Sequence, residues 1–186
     1  NGQVDSARGS APVKPIFTVH EGEFLVGDHI NRKLVRKYDV WVPTKDTGVD
    51  LLVTRKRRSG RAVGLQVKFS RSFSIPEELA RHLIATSWFT LEPKKIRKSQ
   101  ADLWVFVIMT LKHQQHFVVI PKRDLQKRLP RNTVKKWNLY LWVYDNRTCY
   151  QVRDLNKEQK LDTMHRGVRN RQHDFSEWLE NWSLLH

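Results

Sequence analysis

Three polar residues interrupt two otherwise apolar segments of this sequence and could act on a common substrate. Asp50 lies near the start of one apolar segment, and Gln66 and Lys68 alternate with apolar residues in the next. Side chains alternate between the two faces of a strand, so Gln66 and Lys68 share a face. If Asp50 lies on the same face, the three polar groups converge where an apolar strand would normally continue.

The chemistry open to these residues is metal-assisted hydrolysis of a phosphodiester. That reaction needs a hard cation that neutralises the phosphate and makes a bound water more acidic, with a second positive charge nearby. We expect oxygens of Asp50 and of the Gln66 amide to hold Mg²⁺, for which Mn²⁺ can substitute, and Lys68 to position or deprotonate the attacking water. Because Gln66 is neutral, such a site should bind metal more weakly than one with two carboxylates, unless Glu23 contributes.

These residues resemble the signature of the PD-(D/E)XK nucleases, which is an acid, a variable gap, and acid-x-Lys on the next strand. In this sequence Asp50 takes the place of the first acid, and after the gap Gln66, Val67 and Lys68 take the place of acid-x-Lys. Two positions depart from the family pattern. Val49 stands in place of a nominal proline that is loosely kept, and Gln66 replaces the usual acid, as it does in active branches of the family.

The resemblance covers roughly residues 20–120 and implies further ligands and an activity. Such enzymes commonly add a glutamate from the helix before the strands, where this chain has Glu23, with Glu21 as the rival. The implied metal ligands are therefore Asp50, Gln66, the Val67 carbonyl and Glu23. The implied activity is endonucleolytic cleavage of DNA. Many members act as dimers, so a homodimer is a candidate assembly, although no dimer surface is identifiable in the sequence.

The elements that would position these residues are a helix, a three-strand meander, a second helix and another strand. Apolar residues at helical spacing predict the first helix within residues 20–38, and short apolar runs predict strands at 40–42, 49–53 and 62–69. Ser74 and Glu77 resemble a capping box that opens a second helix, whose apolar face would be Leu79, Leu83 and Ile84. Residues 88–100 are predicted to be irregular. The fold class is therefore α/β, a restriction-endonuclease-like core with a mixed central sheet flanked by helices, in the order αβββαβ.

The rest of the chain is predicted to extend this core within one domain. Runs at residues 103–109 and 117–120 predict two paired strands, followed by a short helix at 124–128 and a strand at 139–144. Residues 174–185 predict a capped amphipathic helix. We expect residues 1–14 to form a flexible lead-in and residues 15–186 a single domain, with the core at about 20–120 and an extension at 121–186.

The charge of the chain favours nucleic acid as a partner. Its 34 Lys and Arg against 19 Asp and Glu give a net charge of +15, which attracts polyanions. No apolar stretch is long enough to span a bilayer, and the single Cys149 is typical of a reducing compartment, so we expect a cytoplasmic protein with no membrane partner. The segment 94–98 is the favoured contact because Trp88 and Phe89 lie nearby. The basic residues predicted to contact phosphates are Arg55, Lys56, Arg57, Arg58, Lys94, Lys95, Arg97 and Lys98.

Other interpretations remain open on the sequence alone. The polar cluster could be an ordinary half-exposed strand face in a nucleic-acid-binding module without catalysis. A third hypothesis is a protein that docks on a partner through Phe175, Trp178, Leu179 and Trp182. His113 and His116 have a spacing that metal ligands can have, but a surface loop is favoured for them. The segment from His20 lacks the second histidine of a zinc-protease motif, because Phe24 stands there.

Overall fold

The structure, a computed structural model, describes residues 20–44, 48–57, 60–73, 81–130, 134–168 and 170–185. The predicted lead-in, the predicted start of the second helix at Ser74, and Arg58 lie outside these residues. None of the described helices is long and apolar enough to cross a membrane.

Eight strands and four helices make up the described part of the chain, together with three short 3-10 turns at residues 171–173, 176–178 and 182–184. The strands are β1 Tyr38–Trp41, β2 Leu51–Arg55, β3 Val63–Arg71, β4 Leu83–Leu91, β5 Leu103–Met109, β6 Gln115–Pro121, β7 Trp137–Tyr144 and β8 Cys149–Gln151. The helices are α1 Glu21–Lys33, α2 Pro93–Lys98, α3 Lys122–Lys127 and α4 Lys157–Arg166.

A five-stranded mixed sheet in the order β1-β2-β3-β5-β6 forms the centre of the fold. Strand β3 pairs antiparallel with β2 and parallel with β5, and β5 is buried along its whole length. A strand buried on both faces reads as a continuous apolar run, which is why β5 was predictable from its sequence. The predicted fold class, a mixed central sheet flanked by helices, is confirmed.

The two faces of the central sheet are covered differently. On one face, Leu65 and Val67 of β3 pack with Leu25, Val26 and Ile30 of α1. On the other face, side chains of β5 and β6 pack against a three-stranded sheet in the order β4-β7-β8. The C-terminal strand predicted at 139–144 therefore belongs to this second sheet, as β7.

The predicted second helix is wrong in its C-terminal part. Leu83 and Ile84, assigned to its apolar face, lie in β4, which continues through Trp88 into the segment predicted to be irregular. From Ala85 onward, β4 alternates core residues such as Phe89 with more polar or exposed ones, a pattern that suits a strand. Its partner β7 lies far away in the sequence, so the pairing that stabilises β4 was not visible locally.

The predicted C-terminal helix is also wrong. Residues 174–185 contain two of the 3-10 turns, and Glu180 has a positive φ of 55°. The segment runs along β6 instead, since Leu179 bridges to Val118 and the Glu180 N–H donates to the Phe117 carbonyl at 2.7 Å. A continuous helix would lose these bonds to the sheet edge.

Candidate metal centre

Asp50 marks the point at which β2 separates from β3. Its backbone N–H donates to the Leu65 carbonyl at 2.8 Å, and the last residue pair of the two strands is Leu51 with Leu65. Beyond that pair, the Asp50 side chain instead of the β2 backbone bonds to the edge of β3. Its Oδ2 accepts hydrogen bonds from the Val67 N–H at 2.7 Å and from the Gln66 side-chain amide.

The side chains of Gln66 and Lys68 point to the face of β3 that does not contact α1. Leu65 and Val67 pack with the α1 cluster, so the alternating residues project towards the three-stranded sheet. The Lys68 ammonium lies 5.8 Å from the centre of the Trp104 ring, on the neighbouring strand β5. The structure thus brings Asp50, Gln66 and Lys68 together in one half-buried group.

Glu23 approaches this group from the first turn of α1. Its carboxylate accepts the His20 N–H at 3.2 Å and so caps the helix. Partial burial raises the pKa of Glu23, and the hydrogen bond from the His20 N–H lowers it by less. The charge of Asp50 raises the same pKa and that of Lys68 lowers it, both with smaller effects. These influences show that Glu23 shares an electrostatic environment with both residues.

Glu21, the rival for the helix glutamate, is held elsewhere. Both of its carboxylate oxygens accept from Arg71 Nη2, at 3.1 and 3.0 Å, and its side chain is exposed. A shift of two residues along α1 therefore separates a glutamate in a surface ion pair from the glutamate near Asp50.

Gly22 sets the distance between α1 and β3. A Cβ at this position would lie 2.8 Å from the Phe69 Cβ and 3.2 Å from Val67 Cγ1. Only a residue without a side chain allows so close an approach. Gly22 is thus a positioning residue for Glu23 that the sequence analysis missed, although an isolated glycine in a helical pattern is a signal of close packing.

The donor set fits one hard cation if amide and backbone oxygens contribute. The described residues contain no group of three or more His, Cys, Asp and Glu side chains that could hold a metal. The available oxygens are the second carboxylate oxygen of Asp50, the Gln66 amide oxygen and the Val67 carbonyl, with Glu23 as a further carboxylate. The N–H and C=O of an extended residue point to the same strand edge, so the Val67 carbonyl faces the edge where Asp50 binds its N–H. Oxygen ligands of this kind suit Mg²⁺, which usually keeps several waters.

The basic residues lie apart from this group. Arg55 lies five positions after Asp50, a distance of about 17 Å along an extended strand. Arg55 and Arg57 are exposed, whereas Lys56 forms an ion pair with Asp39 at 3.1 Å. The four cations of α2 are all exposed, and Lys95 pairs with Glu92. Both groups lie at the end of the sheet where β2 ends and β5 begins, because α2 leads into β5.

The two histidines whose spacing metal ligands can have lie in different elements. His113 lies exposed in the turn between β5 and β6, as the surface-loop interpretation predicts, while His116 lies in β6, 3.7 Å from a Glu180 oxygen. Cys149 is fully buried, and burial raises the pKa of its thiol.

The C-terminal aromatic residues pack inside the chain. Phe175, Trp178 and Trp182 are buried, and Leu179 packs against the same core. The third hypothesis, in which these side chains dock on a partner, therefore loses the observation that motivated it.

Comparisons with known proteins add little to this geometry. No family model matches the sequence, and no curated protein matches it significantly. One similar solved structure is Hjc, a Holliday junction resolvase from Archaeoglobus fulgidus, with 9% identity and a TM-score of 0.36. The match covers 64% of this chain and 84% of that one. A TM-score this low supports no conclusion about function, and the fold described above stands on the chain's own strand pairing.

Proposed function

We propose that this protein is a metal-dependent endonuclease that hydrolyses phosphodiester bonds in DNA. The observation that carries the proposal is the convergence of Asp50, Gln66, the Val67 backbone, Lys68 and Glu23 where β2 leaves β3. These groups, whose side chains are half-buried, supply oxygen ligands and a cation. A bound Mg²⁺ would neutralise phosphate charge and acidify a water.

Lys68 is the residue we assign to the attacking water. Within the described part of the chain its ammonium forms no hydrogen bond or ion pair, and it rests over the Trp104 ring. An ammonium held in this way keeps its three N–H donors for a water and a phosphate oxygen. Glu23, in the first turn of α1, is within electrostatic reach of Asp50 and Lys68 and would orient the water or complete the ligand set.

The substrate class follows from charge. The net charge of +15 favours a polyanion, and the exposed cations of α2 and of the β2 end would bind phosphates on one side of a cut site. Cleavage of both strands of a duplex would need two copies of the site, which a homodimer would supply. Light scattering with and without duplex DNA would measure whether the protein forms a homodimer.

Incubation with supercoiled plasmid tests the proposal. We expect nicking with Mg²⁺ and with Mn²⁺, none with EDTA, and none by the Lys68→Ala variant. Lys127→Ala is the matched control, because it removes the same charge from a lysine of α3 that is paired with Asp124 at 2.7 Å and is not assigned to the site. Nicking in EDTA, or undiminished nicking by Lys68→Ala, would contradict the proposal.

A second candidate is a nucleic-acid-binding module of the same fold without catalysis. It is favoured by the state of Asp50, one of whose carboxylate oxygens is already satisfied by Val67 and Gln66. A carboxylate bound in this way can be purely structural. The module predicts DNA binding that weakens steeply as salt rises, with no strand scission in either metal.

A further inference from the structure

Trp88 is an exposed aromatic residue on the outer face of the three-stranded sheet. Its side chain is 54% exposed, although it lies in the middle of β4. It faces Tyr140 of β7 in the strand register, with ring centres 5.8 Å apart and planes inclined by 58°. The two rings therefore form an aromatic surface of which Trp88 is the open part. We call this pair the Trp88–Tyr140 face.

Cations lie against the same face. The Arg153 guanidinium is 5.9 Å from the centre of the Tyr140 ring, and Arg153 is exposed. The Lys160 ammonium lies 5.6 Å from the ring of Trp142, two residues along β7 and on the same side of the sheet. Aromatic rings flanked by cations are the combination with which proteins bind single-stranded nucleic acid, since bases stack and phosphates pair with the charges.

The Trp88–Tyr140 face connects directly to the strand that bears the candidate site. The Trp88 N–H donates to the Ser70 hydroxyl of β3 at 3.1 Å. Ser70 is two residues beyond Lys68 on the same side of β3, about 7 Å along the strand. The Trp88 backbone therefore lies beside β3, and a nucleic acid strand bound near Lys68 would reach the exposed indole by passing around the edge strand β4.

We propose that the Trp88–Tyr140 face binds unpaired nucleotides of a nucleic acid strand, with a base stacked on the Trp88 indole and phosphate beside Arg153. The inference rests on the proposed function, whose substrate it narrows to nucleic acid with a single-stranded segment. Bases inside a duplex are already stacked on their neighbours and present no free face to an indole. Every base has a flat face, so such stacking is tolerant of sequence.

Binding to a short oligothymidylate tests the inference. The assay measures the fluorescence anisotropy of a labelled strand of about 15 nucleotides, in EDTA so that no cleavage occurs. We expect Trp88→Ala to bind about tenfold more weakly than the unmodified protein and Trp88→Phe to recover most of the affinity. Because Trp88 is exposed, both variants should fold, and their thermal unfolding midpoints verify this.

Trp41→Ala is the matched control. Trp41 is similarly exposed, at 57%, but it lies in the edge strand β1 of the other sheet and its indole N–H donates to Thr54. We expect its removal to leave oligothymidylate binding unchanged. Equal loss in both variants, no loss in Trp88→Ala, or no binding by the unmodified protein would overturn the inference.

The outcome is distinguishable from that of the nuclease proposal. Should plasmid nicking fail while oligothymidylate binding depends on Trp88, the nuclease proposal falls and the single-strand site stands. Should nicking succeed while Trp88→Ala binds the oligonucleotide normally, the site alone is refuted, and the face is then left for a protein partner.

Discussion

The Gln66 side-chain amide donates a hydrogen bond to Oδ2 of Asp50, where β2 leaves β3. A second acid in place of Gln66 would repel Asp50 in the absence of a cation, because two adjacent carboxylates cannot both ionise at low cost. The amide instead satisfies the carboxylate. The pair is therefore compatible with a stable protein in the absence of metal. In exchange, the site has one negative charge fewer with which to bind a metal ion.

Gln66→Glu should lower the stability of the metal-free protein and raise its affinity for Mg²⁺. In EDTA we expect a thermal midpoint lower by about 2–4 °C, the shift for roughly 1 kcal/mol in a chain of this size. Saturating Mg²⁺ should raise the midpoint of this variant more than that of the unmodified protein, because a ligand that binds only the folded state stabilises it. Differential scanning fluorimetry across a Mg²⁺ titration measures both effects.

Gln114→Glu is the control for net charge, since it adds the same charge in the exposed turn between β5 and β6. It should show neither effect. An unaltered Mg²⁺ response in Gln66→Glu would argue against Gln66 as a metal ligand.

Asp50→Ala and Asp50→Asn should separate structure from chemistry. Alanine leaves the buried Val67 N–H and the Gln66 amide without their acceptor, so we expect the free energy of unfolding to fall by about 1–3 kcal/mol. Asparagine keeps an acceptor oxygen and should lose much less. Neither variant carries the negative charge, so both should fail to nick plasmid. Urea unfolding gives the first comparison and the plasmid assay the second, and nicking by Asp50→Asn would show that the charge is dispensable.

Gly22→Ala should disturb the site through the position of α1. Its new Cβ would meet the Phe69 Cβ at 2.8 Å, so the helix must move away from β3, and overpacking of this kind costs about 1–3 kcal/mol. Displacement of Glu23 should lower nicking beyond what the lost stability explains.

Gly27→Ala in the same helix is the matched control, because among the described residues its Cβ would have only Val40 Cγ1, at 4.0 Å, within contact distance. It should stabilise the protein by about 0.5–1 kcal/mol, as alanine replaces a helical glycine. Urea unfolding and nicking assays on both variants test the pair, and equal stability of the two would refute the close approach at Gly22.

Much of the core could be predicted because its signals are local. The alternation of Gln66 and Lys68 with apolar residues, and the continuous apolar run of β5, each specify a strand and its faces without reference to distant residues. The hydrogen bonds of Asp50 to Val67 and Gln66 follow from the register of β2 on β3. The sequence predicted that these strands are neighbours but left their register open.

The errors arose where distant residues decide the structure. Strand β4 is stabilised by β7, more than forty residues later, and the segment after Asp174 follows the edge of β6 instead of forming its own helix. The choice between Glu21 and Glu23 was equally open, because it depends on Arg71 at the end of β3, which holds Glu21 away from the site. Tertiary contacts of this kind override local propensity.

The raised pKa of Glu23 should make the free energy of unfolding of the protein depend on pH. Burial raises that pKa above its ordinary value of 4.5, so between this value and the folded-state value the folded protein binds more protons than the unfolded one. Stability contributed by Glu23 is therefore fully present below pH 4.5 and is lost as the pH rises through the folded-state value.

Glu23→Gln keeps an oxygen that accepts the His20 N–H but has no charge. It should be more stable than the unmodified protein at neutral pH, with a difference that vanishes towards pH 4.5. Urea unfolding of both proteins across this range tests the sign, and a stability advantage for the glutamate at neutral pH would contradict it.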